Sequence, residues 1–67
     1  MDISARNQIK GTVVRVTPGS VMAEVEVDIG NARLVSVITK GSVDRLGLKV
    51  GDSVTAFIKS NEIMIGK

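Results

Sequence analysis

Residues 21–29 alternate without a break: Val21, Ala23, Val25, Val27 and Ile29 fall on one parity, Met22, Glu24, Glu26 and Asp28 on the other. A strand puts successive side chains on opposite faces, so this run commits the chain to a sheet with one apolar face and one acidic, solvated face. Gly30-Asn31 follows at once. Glycine in the first position of a two-residue loop suits a type II′ turn, which predicts that the next run folds back antiparallel and carries Arg33 to the acidic face.

The other runs fit the same sheet. Residues 9–16 are β-branched but lose alternation at Val13-Val14, as a strand buried on both faces or a bulge would. Thr17-Pro18-Gly19-Ser20 is turn chemistry. In residues 34–39, Leu34 and Ile38 share one face and Val35 and Val37 the other; a small monomeric barrel would leave one face wet, so the second reads as a subunit contact. Residues 40–46 fit a short helix with Thr39 as N-cap, Val43 and Leu46 on its buried side and Gly47 just past its end. A fourth run alternates Val54, Ala56 and Ile58 against Ser53, Thr55, Phe57 and Lys59, and Ser60-Asn61 turns the chain into a fifth run, 63–65. The expected fold class is all-β: one domain, residues 1–67, forming a five-stranded OB-like barrel with one short helix between strands 3 and 4. Eleven valines and seven isoleucines agree with that.

A chain of 67 residues buries only about 60% of the surface its unfolded form exposes, so its core needs a supplement. With no cysteine and no histidine, disulfides and His/Cys metal sites are unavailable, and oligomerisation is the remaining route. Nine basic and seven acidic residues are interspersed, so no electrostatic footprint for nucleic acid or membrane stands out. No run has the length of a membrane-spanning helix or the pattern of a signal peptide, which makes the cytoplasm the expected location.

Enzymatic chemistry has few residues to draw on. Histidine, cysteine and tyrosine are absent, and neighbouring strand residues such as Lys59-Ser60 point apart unless the strand ends there, so the expectation is a protein that is not an enzyme. Glu24, Glu26 and Asp28 share a strand face, but a solvated surface paired with Arg15 and Arg33 explains them better than a metal ion, for which no further ligands are supplied; no metal site is expected. An OB-type module for single-stranded nucleic acid or for protein interaction is the rival reading. Base stacking needs aromatic side chains, however, and Phe57 is the only aromatic residue, on a run where a core role is expected.

Two clusters have the chemistry of an oxyanion site. Ser4-Ala5-Arg6-Asn7 precedes the first strand, and Lys59-Ser60 ends the fourth. A tetrahedral dianion must exchange its water shell for fixed donors, and guanidinium, ammonium, hydroxyl and free backbone N–H groups each supply charge-assisted hydrogen bonds of about 1.5–3 kcal/mol. Thr39 adds a hydroxyl beside free helix N–H groups. The fold or a neighbouring subunit must bring these pieces together.

The stretch Ser4-Ala5-Arg6-Asn7-Gln8-Ile9-Lys10-Gly11 resembles the opening signature of the molbindins, small cytoplasmic Mop-family molybdate-binding proteins. Val37-Ile38-Thr39, Arg45-Leu46-Gly47-Leu48, Val50-Gly51-Asp52 and Ile58-Lys59-Ser60 fall where that family has matching pieces, so the resemblance spans essentially the whole chain. It implies an OB-like barrel assembled as a homohexamer, a trimer of dimers, that binds molybdate or tungstate at subunit interfaces to store or buffer it. Carried over, Ser4, Arg6, Thr39, Lys59 and Ser60 would line the main site, with Ala5 contributing backbone. If the N-terminal segment crosses to a partner, one subunit supplies Ser4 and Arg6 and another Thr39, Lys59 and Ser60.

Overall fold

A computed structural model describes residues 2–67. The elements are β1 (Asn7–Pro18), β2 (Met22–Asp28), β3 (Arg33–Thr39), α1 (Lys40–Leu46), β4 (Ser53–Ile58) and a single 3₁₀ turn at Ser60–Glu62. All strand pairs are antiparallel, in the order β3-β2-β1-β4. The fold is all-β with one short helix after β3, as the patterning requires, but it has four strands rather than five. Residues 63–67 pair with nothing in their own chain, and Met64 and Ile65 are 93% and 90% exposed. A three-residue apolar run carries the strand pattern, but a strand also needs a free edge to bond to, and the 3₁₀ turn leads this one away from the sheet.

β1 is the spine of the sheet. Its first half, from Asn7 to Thr12, pairs with β4, and its second half, from Thr12 to Pro18, pairs with β2. The change of partner is built from two local features. Gly11 lies so close to β2 that a Cβ there would sit 2.6 Å from the Asp28 carbonyl oxygen and from a Val27 methyl group. Two residues on, the Val13 N–H donates to the Asp52 carbonyl (2.9 Å) and the Gly51 N–H donates to the Val13 carbonyl (2.8 Å). The β1–β2 register then slips between Val13 and Arg15, so the broken alternation at Val13-Val14 is a bulge, and the sheet curls around it.

The curl encloses Val13, Ala23, Val25, Val27 and Val43, with Leu34, Ile38, Leu48 and Val54 packed against them. The β2 alternation therefore holds, with two amendments at its neighbours. Val21 is exposed, because β2 begins only at Met22 and Val21 serves the sheet through its carbonyl, which accepts the Lys40 N–H at 2.8 Å. Leu46 is also exposed: Gly47 in the left-handed conformation (φ 61°) turns the chain so that Leu48 reaches the core instead, its N–H donating to the Val43 carbonyl. At Gly30-Asn31 the glycine has a positive φ (105°), its N–H donates to the Asp28 carboxylate at 2.8 Å, and the Ile29 N–H donates to the Ala32 carbonyl at 3.0 Å. Arg33 reaches Glu26 at 3.4 Å. Phe57, expected in the core, is instead on the outer face opposite Gln8, since Ala56 and Ile58 take the inward parity of β4.

Candidate functional site

The two ends of the chain meet at one end of the β1–β4 ladder. Asn7 and Ile58 form its last rung, and the Asn7 side-chain amide adds a hydrogen bond to the Ile58 carbonyl at 3.1 Å. Arg6 and Lys59 are the next residue on each strand, so the Ser4-Ala5-Arg6 and Lys59-Ser60 clusters emerge side by side. Ala5 anchors the N-terminal arm: it is 8% exposed, and its carbonyl accepts from the Gln8 side chain at 3.0 Å. Ser4, Arg6, Lys59 and Ser60 are all exposed around it. Lys59 holds an extended conformation (φ −66°, ψ 138°) ahead of the 3₁₀ turn, whose N-cap has no side-chain hydrogen bond.

The charges are arranged to be available. Among the described residues the single ion pair is Arg33 with Glu26, on the outer face of β2 and β3, so the Arg6 guanidinium and the Lys59 ammonium have no carboxylate partner. No three acidic residues among those described gather to hold a cation. An end of the molecule with two unpaired cations and two hydroxyls can trade hydration for direct bonds to a small dianion, and its donor types favour oxygen acceptors.

Thr39 is not part of that cluster. It pairs with Met22 beside the Pro18 end of β1, eleven residues along the strand from Asn7, a path of roughly 36 Å at the usual strand rise, shortened by the curl. Its hydroxyl is also engaged: it accepts the Ser42 N–H at 3.0 Å and donates to the Ser42 hydroxyl at 2.8 Å, closing the N-terminus of α1. The expected division of these residues concerns two subunits, whereas within one chain Lys59 and Ser60 stand with Ser4 and Arg6, and Thr39 stands alone. Asn7, part of the expected Ser4-Ala5-Arg6-Asn7 donor cluster, instead ties the arm to β4, and Gln8, which the sequence does not single out as a site residue, ties the arm to itself. The role of Asn7 depends on β1 pairing with β4 over a separation of 51 residues, which no local pattern announces.

Residues 3–65 match the TOBE domain family. Molybdenum-pterin-binding protein 3 of Clostridium pasteurianum is 50% identical over 66 residues, which is 97% of each chain. The chain belongs to the Mop family of TOBE-domain proteins. Along its full length this Mop chain is similar to a molybdate-binding protein from Sporomusa ovata, with a TM-score of 0.95, 42% identity and 100% of both chains covered. It is also similar to the cytoplasmic molybdate-binding protein ModG with molybdate bound, with a TM-score of 0.85 and 41% identity, over 90% of this Mop chain and 43% of ModG. Within this frame the curled sheet with its helix after β3 is an OB-like fold. No helix of this Mop chain is long and apolar enough to cross a membrane.

Proposed function

We propose that this Mop chain binds molybdate or tungstate as the intact oxyanion, at interfaces of a cytoplasmic homohexamer arranged as a trimer of dimers, and holds it for storage or homeostasis without transforming it. The observation that carries this reading is the β1–β4 register, which sets Arg6 beside Lys59 with no carboxylate to neutralise either. Similarity to relatives whose names include molybdate or molybdenum-pterin binding supports the choice of ligand. Ser4, Arg6, Lys59 and Ser60 supply charge and hydroxyl donors, and Ala5 supplies backbone. Thr39, remote within its own chain, joins the site from a second subunit. A ligand held only by the assembled form stabilises that assembly by mass action.

Isothermal titration of molybdate, tungstate and sulfate tests the proposal. Saturable binding of the first two is expected, with a strong loss in Arg6→Ala; unchanged affinity in that variant removes the site. Tight, salt-sensitive binding of labelled single-stranded oligonucleotides without any oxyanion response would replace the proposal with the nucleic-acid reading.

A further inference from the structure

The one aromatic residue of the chain lies outside the core, on a face of a single charge sign. Phe57 is 38% exposed on β4, in the rung Gln8↔Phe57; the next rungs of the same parity are Lys10↔Thr55 and Thr12↔Ser53. One step past the end of the ladder, Arg6 and Lys59 continue these two rows, Lys59 in an extended conformation (φ −66°, ψ 138°) that keeps the alternation of β4. The outer face of β1 and β4 therefore presents three cations, one ring, an amide and hydroxyls, and no carboxylate. On β2 the outward residues have the opposite sign, Glu24, Glu26 and Asp28. The ring sits between the charges: Phe57 is diagonal to both Arg6 and Lys10, a spacing of about 7–8 Å that long side chains span, and Lys59 is two residues along its own strand. An exposed aromatic face stacks on flat rings, and the cations around it attract an anion.

We infer that the outer face of β1 and β4 binds a mononucleotide, with its phosphate between Arg6 and Lys59 and its base stacked on Phe57 beside Lys10. A single ring sets the size of the ligand. Single-stranded nucleic acid is held by successive bases on several aromatic side chains, and this chain has one phenylalanine with no tyrosine or tryptophan. An acidic peptide uses the cations and leaves the ring idle, whereas a flat base carrying a phosphate uses both. The row from Arg6 to Lys10 covers roughly 13 Å at the usual strand rise, enough for an extended mononucleotide. Phosphate and molybdate are both tetrahedral oxyanions, so the two ligands compete for one end of the molecule, and in this the inference rests on the oxyanion site proposed above. It adds a second ligand class, and it gives Phe57 and Lys10 the role of selecting that class.

Fluorescence anisotropy of ethenoadenosine monophosphate tests the inference, read alongside calorimetry with molybdate. Saturable binding of the nucleotide is expected, reversed by adenosine monophosphate and by molybdate, and far less by ribose phosphate, which has the anion without the ring. Phe57→Leu should lower nucleotide affinity about tenfold or more, and Lys10→Gln several-fold, while both variants bind molybdate as the parent does. Equal nucleotide affinity in Phe57→Leu, or no saturable binding at millimolar nucleotide, overturns the inference and leaves the oxyanion proposal standing. Molybdate that binds without displacing the nucleotide also overturns it, because the phosphate then lies elsewhere. A labelled oligonucleotide held orders of magnitude more tightly than the mononucleotide overturns it in favour of a nucleic-acid surface. Nucleotide binding that depends on Phe57 in a protein that takes up no molybdate supports the inference and removes the oxyanion proposal instead.

Discussion

The Asn7 side-chain amide donates to the Ile58 carbonyl at 3.1 Å across the last rung of the β1–β4 ladder. This bond joins residues near the two ends of the chain, and Ser4, Arg6, Lys59 and Ser60 lie just beyond it on either side. The rung thus fixes where Arg6 and Lys59 leave the sheet, and fraying there separates them.

Asn7→Ala should therefore act on stability and binding together. A net hydrogen bond contributes about 1 kcal/mol, and for a domain of this size that corresponds to a melting temperature lower by about 4–8 °C. Molybdate affinity should fall several-fold in the same variant, measured by titration well below the melting transition. Gln8→Ala, which frees the Ala5 carbonyl, should move affinity in the same direction.

Arg6 and Lys59 separate a charge requirement from a geometric one. Removing one charge-assisted donor at about 1.5–3 kcal/mol lowers affinity about tenfold to a hundredfold, so Arg6→Ala and Lys59→Ala should each weaken molybdate binding by that order. Arg6→Lys keeps the charge but loses the planar fork, and should recover only part of the loss. Because both side chains are exposed and without ion-pair partners, none of the three variants should change the unfolding free energy of the ligand-free protein by more than about 0.5 kcal/mol. Equal affinity in Arg6→Ala and the parent would remove Arg6 from the site.

Local features of the fold were legible in the sequence because they depend on near neighbours. The β2 alternation, the Gly30 turn, the bulge at Val13-Val14 and the Thr39 cap with Gly47 at the far end of α1 each rest on side-chain parity or on one residue's backbone freedom. The errors share one cause, which is that burial depends on what lies opposite. Phe57 and Leu46 have core chemistry but remain exposed, and residues 63–65 have strand chemistry without an edge to pair with in their own chain. The candidate site was legible as two clusters of donor types. That Lys59 stands beside Arg6 while Thr39 stands far along β1 is a matter of register between strands distant in sequence, and single residues do not encode it.

Gly11 is the position where the sheet tolerates no side chain at all. The Asp28 carbonyl, one of the two groups that a Cβ would meet at 2.6 Å, is backbone and can move only with β2. Gly11→Ala should lower the free energy of unfolding by about 1–3 kcal/mol, as overpacking of a close contact does, measured by urea titration. Gly41→Ala is the control: nothing lies within 4 Å of its Cβ position, and within α1 the substitution should be neutral or stabilising by up to about 1 kcal/mol.

Thr39 has two assignments that can be separated by substitution. As the N-cap of α1 its oxygen accepts the Ser42 N–H, so Thr39→Val should lower stability by about 1 kcal/mol whether or not Thr39 touches a ligand. Thr39→Ser keeps the hydroxyl and should preserve the cap. The proposed second role, as a donor reaching the anion from a neighbouring subunit, adds a different signal. Thr39→Val should then lose about tenfold in molybdate affinity at a temperature where the variant remains fully folded and keeps the parent's sedimenting mass, while Thr39→Ser binds as the parent does. Parental affinity in Thr39→Val under those conditions would confine Thr39 to capping, and the anion would be held by the Arg6–Lys59 end of the molecule without it.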